Sequence, residues 1–200
     1  MYQIVNTIRV LATIMGVVTL LASTISAMIL SRQKRGRSQG KSTILRSGLG
    51  VLFLTIGLVV LGFLLWKPFS LDVSEQMLFG FSIVGAIFYF CGLGLYLWGL
   101  GTMRSQFAVS SLFGAELYKE HKLITSGPFA LVRHPLYVGV ILTAVGALLI
   151  FRTWGMILFM PMSLIVIGRA EQEEMLLAKE FGDEWESYIS KVPKWLPRLR

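Results

Sequence analysis

The sequence LYVGVILTAVGALLI at residues 136–150 is followed by Phe151-Arg152-Thr153 and then by WGMILFMPMSLIVI at residues 154–167. Two apolar runs separated by a polar tripeptide predict two helices joined by a tight turn, with Arg152 at its tip. Each run is somewhat shorter than the ~20 residues that span a bilayer comfortably. We interpret them as a helical hairpin that enters a membrane from the cytoplasm and returns to it. Two buried helices of a soluble core are the alternative.

The rest of the chain shares this apolar character. Of its 200 residues, 54% are hydrophobic and only 15% are charged, and the mean hydropathy is +0.68. In a soluble domain about a quarter of the residues are charged. Three longer apolar runs lie at residues 4–30, 44–66 and 77–100, and each is long enough to span a bilayer. The sequence therefore predicts an all-α polytopic membrane protein, a single domain over residues 1–200, with about five transmembrane helices.

The distribution of positive charge predicts the orientation of these helices. The loop after the first run carries six basic residues, namely Arg32, Lys34, Arg35, Arg37, Lys41 and Arg46. Short loops rich in lysine and arginine stay in the cytoplasm. We therefore expect the N-terminus outside and the first three helices within residues 1–102. Residues 103–200 would contain the hairpin and a charged C-terminal helical segment on the cytoplasmic side.

The C-terminal segment predicts one further short helix. Asp183 and Glu186 follow Gly182 at the spacing of a capping box, in which each side chain bonds a backbone N–H at the helix start. A helix beginning after Gly182 is therefore expected. Four apolar residues of this segment, Trp185, Tyr188, Trp195 and Leu196, fit a surface that faces the membrane interface. They fit ordinary amphipathic packing equally well.

The net charge of +8 raises the question of nucleic acid. The basic residues lie in loops beside apolar runs, however, where they set orientation and contact anionic lipid. No groove-reading motif accompanies them, so we expect a lipid bilayer and no nucleic acid as partner. The single cysteine, Cys91, cannot form an internal disulfide and has no neighbours for a metal site, so no metal is expected.

A first polar cluster lies at the entry to the predicted hairpin. It comprises HKLITSGPF at residues 121–129 and RHPLYVG at residues 133–139. His134-Pro135 predicts the start of a helix, because proline favours the first helical turn and pushes its predecessor toward extended geometry. A helix start carries unpaired N–H groups and a partial positive charge, so together with Arg133 it predicts an anion site. Simple anchoring of the helix at the head-group layer is the alternative.

A second polar cluster, Arg169, Glu173 and Glu174, follows the other arm of the hairpin. Arg169 and Glu173 are four residues apart and share one helix face, whereas Glu174 points about a hundred degrees away. A solvated ion pair is one interpretation, but charged groups beside lipid are costly and usually mark function. If both clusters lie on one side of the membrane, they match a zwitterionic ligand with an aromatic part against Phe129 or Tyr137.

The third apolar run contains the glycines Gly92, Gly94, Gly99 and Gly101. Small residues in such a run usually permit close packing of helices. Close approach of a ligand is the other interpretation. Gly92-x-Gly94 is no dinucleotide-binding motif, because no predicted strand precedes it.

The two polar clusters together resemble a known family. Residues 121–193 follow the order H-x-L-[VI]-x-x-G-[PVI]-[FY]-x-x-x-R-H-P-x-Y-x-G and then R-x-x-x-E-E-x-x-L-x-x-x-F-G-x-x-[WY]-x-x-Y-x-x-x-V-P. This order is similar to that of the isoprenylcysteine carboxyl methyltransferase family. The resemblance implies a membrane-embedded methyltransferase that uses S-adenosylmethionine and an amphiphilic methyl acceptor. Phospholipid methyltransferases share the two-glutamate element.

The resemblance also implies roles for individual residues. In the family the cofactor is held by residues that match His121, Lys122, Leu123, Ile124, Phe129, His134, Pro135, Leu136, Tyr137 and Glu173. Arg133 strengthens the anion site beside them. Arg169 would face the acceptor and hold its carboxylate through a forked pair. Glu173 and Glu174 would suit the cationic parts of the cofactor, and with Arg169 they are the predicted catalytic residues.

None of these residues identifies the methyl acceptor. A carboxylate is already ionised at neutral pH and needs no base, whereas a hydroxyl acceptor would need one, with Glu174 or His134 as the candidates. A membrane reductase of the sterol type, which uses NADPH and carries a similar R-H-P-x-Y-x-G element, is the second hypothesis. The third is a non-enzymatic membrane protein. The two-glutamate element favours the methyltransferase.

Overall fold

Every regular element in the described parts of the chain is a helix. The structure, a computed structural model, describes residues 1–33, 48–103 and 123–197. The elements are α1 (Tyr2–Gln33), α2 (Gly48–Leu64), α3 (Glu75–Met103), a short 3-10 helix (Gly127–Ala130), α4 (Pro135–Phe151), α5 (Trp154–Ser163), α6 (Ile165–Phe181) and α7 (Asp183–Lys191). The all-α prediction is confirmed.

Three helical segments are long and apolar enough to cross a membrane, Tyr2–Ser26, Glu75–Met103 and Trp154–Phe181. Leu52–Leu64 and Pro135–Phe151 are apolar but shorter. Many large hydrophobic side chains on these helices are exposed on the surface of the protein, which suits contact with lipid rather than water. The chain therefore has the character of a membrane protein. The count of five spans and the orientation stay predictions.

α4 and α5 form a hairpin with Arg152 at its tip, as the sequence predicts. Arg152 adopts a left-handed backbone conformation, with φ 50°, and so reverses the chain between the two helices. The loop after α2 contacts this tip, because the Phe69 N–H donates to the Arg152 carbonyl at 3.0 Å. From α1, Arg9 Nε donates to the Ile150 carbonyl at 3.3 Å. We call this side of the bundle, marked by Arg9 and Arg152, the arginine end.

α3 and α4 pack closely along a line of glycines that we call the glycine seam. It comprises Gly85, Gly92 and Gly99 on α3 and Gly139 and Gly146 on α4, with a spacing of seven on each helix. A Cβ atom added to Gly92 would lie 2.7 Å from the Gly139 carbonyl oxygen, and one added to Gly146 would lie 2.6 Å from the Gly85 carbonyl oxygen. The two helix backbones therefore approach so closely at these positions that only glycine, which has no Cβ atom, fits between them.

The glycine seam confirms part of the glycine prediction. Gly92 and Gly99 pack closely, as expected, the latter against Leu136. A Cβ atom on Gly94 or Gly101 would meet no described atom within 4 Å. The reason is that a spacing of seven keeps residues on one helix face, whereas a spacing of two moves them to another.

The second arm of the hairpin extends further than residue 167. The arm contains Pro161 but stays helical through it to Ser163, and the helix is interrupted only at Leu164. The helix resumes as α6 at Ile165 and runs to Phe181. Arg169 and the two glutamates therefore lie on a continuation of the hairpin, which leads them back toward the start of α4.

The capping box predicted at Asp183 is wrong, although a helix does begin after Gly182. Gly182 itself is the N-cap of α7, with φ 46°, and no side chain caps the helix. Gly182 also ends α6, because its N–H donates to the Ala178 carbonyl. Asp183 consequently lies inside the first turn of α7. There its negative charge interacts favourably with the helix dipole, but its side chain does not cap an N–H group.

Candidate active site

The start of α4 lies at the centre of the site. His134 occupies the cap position, with φ −120° and ψ 59°, and Pro135 is the first helical residue. The helix start predicted at His134-Pro135 is therefore confirmed. Both residues are buried. The glycine seam holds them beside the end of α3, because Leu136 packs against Gly99.

The C-terminal segment crosses this helix start and bonds its backbone. The Arg133 N–H donates to the Pro193 carbonyl at 2.9 Å, and the His134 N–H donates to the Lys194 carbonyl at 3.4 Å. The Trp195 ring lies 5.3 Å from the His134 ring. The sequence prediction missed this contact, which joins segments about 60 residues apart. Its only sequence signal is that Lys194 and Trp195 directly follow the Val-Pro that ends the family pattern.

α7 supports the other side of the site through an apolar cluster. Trp185, Tyr188 and Val192 are buried there. Leu123, Leu177, Phe181 and Ile189 pack around them. Burial raises the pKa of Tyr188 to about 12, so its phenol stays protonated, and it donates to the Phe129 carbonyl at 2.7 Å. Trp185 and Tyr188 thus pack inside the protein, so the packing interpretation is confirmed for these two residues, whereas Leu196 is 76% exposed.

The two polar clusters meet at His134. Its Nε2 lies 2.9 Å from Glu174 Oε1, and its Nδ1 lies 3.9 Å from Glu173 Oε2. The imidazole therefore lies between two carboxylates contributed by α6. We call the group formed by Arg133, His134, Glu173, Glu174 and Lys194 the glutamate end of the bundle.

Glu174 is the most heavily paired residue of the glutamate end. Besides the contact with His134, its carboxylate lies 3.2 Å from Arg133 Nε and 3.3 Å from Lys194 Nζ. The side chains of Glu174 and Arg133 are only 19% and 14% exposed, so water screens this pair less than a surface ion pair. Glu174 thus compensates two cations and fixes the orientation of His134.

Glu173 has different partners on the other face of the imidazole. Tyr137 donates its phenolic proton to Glu173 Oε2 at 3.0 Å. The Tyr137 and His134 rings are stacked, with centroids 5.4 Å apart and an angle of 6° between their planes. Arg169 lies close enough to interact electrostatically with both Tyr137 and Glu173. The predicted neighbourhood of Arg169 and Glu173 is therefore present in the structure.

A cavity of about 80 Å³ lies against the start of α4. Nine of the predicted site residues line it, namely Leu123, Ile124, Phe129, Arg133, His134, Pro135, Leu136, Tyr137 and Glu173. Sequence reasoning did not assign the other four to the site, namely Met103, Leu177, Trp185 and Tyr188. Arg169 and Glu174 lie near this cavity without lining it. His121 and Lys122 lie outside the described residues.

The cavity combines apolar walls with one cationic and one anionic side chain. Arg133 and Glu173 both line it. Such an arrangement suits a ligand that carries both charges and an apolar or aromatic part. Within the described residues, no group of three His, Cys, Asp or Glu side chains is placed to hold a metal ion.

Comparison with known proteins finds relatives that match part of this chain. The protein-S-isoprenylcysteine O-methyltransferase of Schizosaccharomyces pombe is 32% identical over 125 residues, which cover 60% of this chain and 52% of the relative. The Mus musculus protein of the same name is 34% identical over 82 residues, 40% of this chain and 29% of the relative. The nickel-cobalt-cadmium resistance protein NccN of Alcaligenes xylosoxydans is 34% identical over 83 residues, 40% of this chain and 38% of the relative.

These relatives extend beyond the matched region. The chain spans about half the length of the Schizosaccharomyces pombe relative and less of the other two. The family model described as phospholipid methyltransferase matches residues 81–184, which is more than half of the chain. This match includes α4, Arg169 and both glutamates. In agreement with the resemblance to isoprenylcysteine carboxyl methyltransferases, the chain belongs to the phospholipid methyltransferase family.

Proposed function

We propose that the chain transfers a methyl group from S-adenosylmethionine to a membrane-resident acceptor, most favourably the carboxylate of an isoprenylcysteine-like or other lipidic acid. The observation that carries this proposal is the cavity at the glutamate end. It brings nine residues of the family pattern together against one helix start, although they come from segments 50 residues apart. The names of the Schizosaccharomyces pombe and Mus musculus relatives support the same reaction class.

The chemistry of the cavity fits S-adenosylmethionine. Glu173 can oppose a cationic group, and Arg133 can oppose a carboxylate. Phe129 and Tyr137 offer apolar and aromatic surface to a ring. The cavity of about 80 Å³ is smaller than the roughly 300 Å³ of a typical ligand pocket. The described residues would therefore enclose one part of the cofactor rather than all of it.

When bound, the cofactor supplies an electrophilic methyl group. The residues of the chain would then act mainly by orientation and exclusion of water. His134 is held in one orientation by Glu174 on one side and by Tyr137 stacking on the other. Tyr137 in turn holds the Glu173 carboxylate through its phenolic hydrogen bond. The cavity wall is thus preorganised before a ligand arrives.

We assign Arg169 to the acceptor. It lies beside Tyr137 and Glu173 but outside the cavity lining, so it can meet a group that approaches from the bilayer. A guanidinium matches the fork of a carboxylate, and a carboxylate acceptor needs no base. Glu174 fits a positioning role better than that of a base, because its oxygens already contact His134, Arg133 and Lys194.

A second candidate is methylation of a phospholipid amine. The description of the matching family model favours it. The two candidates differ in the charge of the acceptor. A carboxylate would pair with Arg169, whereas an amine would have to lose a proton first and would gain nothing from a nearby guanidinium.

We also propose that the glutamate end faces the cytoplasm. α1 starts at the arginine end, since Arg9 bonds the Ile150 carbonyl. A span that starts there finishes on the opposite side, just before the six basic residues of the following loop. By the positive-inside rule this opposite side is cytoplasmic. Cysteine accessibility labelling at Ser126, which is exposed beside the cavity, tests this in intact cells: labelling from outside would contradict the proposal.

The experiment that tests the function uses the full chain purified in detergent and S-adenosylmethionine with a labelled methyl group. Three acceptors are compared: a farnesylated cysteine, its methyl ester, and phosphatidylethanolamine. We expect label in a base-labile product from the farnesylated cysteine and none from its ester. Transfer only to phosphatidylethanolamine would establish the second candidate instead. Binding of NADPH without binding of S-adenosylmethionine would overturn both and favour a reductase.

A further inference from the structure

The arginine end contains a second cavity, of about 430 Å³. It lies between α1, the end of α2 and the tip of the α4–α5 hairpin. α4 separates it from the candidate active site, and its 17 residues extend for about 25 Å at 1.5 Å per residue. One small ligand cannot reach both places, so this cavity is distinct from the methyl-transfer site.

The wall of this second cavity is amphipathic. Its polar part is formed by Arg9, Thr13 and Thr153. Its apolar part is formed by Val10, Ile14, Trp66, Pro68 and Phe151. A cavity that presents a cation and hydroxyls beside aliphatic and aromatic side chains matches a ligand with an anionic head and an apolar body.

Two guanidinium groups at this end have no acidic partner within ion-pair distance among the residues that the structure describes. Arg152 donates to the Leu149 carbonyl at 2.7 Å and to Ser82 Oγ at 3.3 Å, and Arg9 donates to the Ile150 carbonyl. Across the described ranges, all carboxylate ion pairs are at the glutamate end. Burial, and then the positive charge of Arg9, lower the pKa of Arg152.

Thr153 adds an independent observation. Its side chain lines the cavity and is only 3% exposed. Its Oγ1 is buried and forms no hydrogen bond with the described part of the chain. A buried hydroxyl without a partner is unfavourable, and an acceptor oxygen supplied by a ligand would satisfy it.

We propose that this cavity binds the phosphate group of an anionic phospholipid. Arginine matches phosphate oxygens through paired hydrogen bonds, and Arg9 and Thr153 supply the donors. A lipid fits better than a free anion, because the exposed aliphatic side chains of α1, including Val10, Ile14 and Val17, continue the apolar wall where acyl chains would lie. Trp66 and Trp154 lie at this end of the bundle, and because tryptophan is enriched at the membrane–water interface, they place this end at the head-group layer. The proposal is independent of the methyl-transfer reaction.

The test measures thermal unfolding of the full chain in detergent, with additions of phosphatidylglycerol, phosphatidylcholine or sodium phosphate. We expect phosphatidylglycerol to raise the midpoint by at least about 4 °C and the other two to raise it by much less. An equal effect of phosphatidylcholine would show that headgroup charge is not recognised. An equal effect of sodium phosphate would show a site for a free anion. Either result would overturn the proposal.

Three variants test whether the phosphatidylglycerol shift arises from binding in this cavity. Arg9→Gln and Thr153→Val should each remove more than half of the phosphatidylglycerol shift. Thr153→Val should leave the lipid-free midpoint unchanged or raise it, because its buried hydroxyl bonds nothing that the structure describes, so its loss of the shift cannot come from misfolding. Lys67→Gln is the matched control, since Lys67 is an exposed cation at the same end outside the cavity. A shift lost equally in Lys67→Gln, or kept in both cavity variants, contradicts the assignment.

Discussion

The two ends of α4 carry cations in opposite settings. At its start, Arg133 and Lys194 lie within 3.3 Å of the Glu174 carboxylate, and His134 is held between two glutamates. At its other end, Arg9 and Arg152 bond backbone carbonyls and a serine. Cations are therefore paired with carboxylates where the cavity matches the family pattern, whereas no ion pair among the described residues involves Arg9 or Arg152 at the arginine end. The difference teaches that a cluster whose cations are paired with carboxylates preorganises a site. A cation without such a partner can instead bind an anion from outside the chain.

The largest effect should come from breaking the glycine seam that connects the two ends. A Cβ atom in Gly146→Ala would collide with the backbone of Tyr89 and Gly85. Overpacking against backbone destabilises by about 3 kcal/mol, so we expect a large fall in the unfolding midpoint in detergent. Gly94→Ala is the control, because nothing described lies within 4 Å of the added atom. Equal falls in both variants would show that the seam does not hold the bundle together.

The second effect concerns the charge balance at the glutamate end. Glu174→Gln leaves Arg133 and Lys194 beside a neutral amide and makes this end resemble the arginine end. Removing one partner of a partly buried ion pair should lower the free energy of unfolding by about 2 kcal/mol. Glu171→Gln, an exposed glutamate on the same helix, should change it little. Combining Glu174→Gln with Lys194→Met should be less harmful than the sum of the single changes; additive effects would show that the pair is not coupled.

The third effect distinguishes a role of Arg169 in binding the acceptor from a role in binding the cofactor. Arg169→Ala should raise the KM for a carboxylate acceptor at least about tenfold, the loss expected for one charge-assisted pair. The Kd for S-adenosylmethionine should change little, because Arg169 does not line the cavity. Steady-state kinetics and equilibrium binding measure the two quantities. A larger change in the cofactor Kd than in the acceptor KM would place Arg169 in the cofactor site.

The smallest effect should come from Tyr137→Phe. This change removes the hydrogen bond to Glu173 but keeps the ring that stacks on His134. One hydrogen bond to a charged group is worth about 1.5 kcal/mol of stability, so the unfolding midpoint should fall by only about 3 to 6 °C and cofactor affinity by roughly tenfold or less. A loss as large as that of Tyr137→Ala would mean that the phenol contacts the ligand directly.

Much of the fold is readable from the sequence, because hydropathy and proline act locally. The helix start at His134-Pro135, the tip at Arg152 and the packing of Gly92 and Gly99 follow from residues within a few positions of each other. The partners of Gly92 could not be derived, because Gly139 lies on another helix. The same holds for the contact of Lys194 with Glu174. The capping box failed for a local reason, since Gly182 serves both helices and displaces Asp183 from the cap.

The site prediction depended on the resemblance rather than on residue chemistry alone. The spacing of Arg169 and Glu173 places them on one helix face, and the structure puts both near Tyr137. Nothing in the sequence distinguishes the two adjacent glutamates, however. The structure does, because α6 turns Glu173 toward Tyr137 and the cavity, and Glu174 toward three basic side chains.

The central claim is that Glu173, on the cavity wall, contributes to binding S-adenosylmethionine. The most direct test is an equilibrium titration of the detergent-purified chain with S-adenosylmethionine, repeated for Glu173→Gln and Glu171→Gln. We expect the wild type and Glu171→Gln to bind with the same Kd, and Glu173→Gln to bind about tenfold or more weakly, as the loss of one charge-assisted contact implies. Unchanged affinity in Glu173→Gln, or no binding by the wild type, would contradict the account.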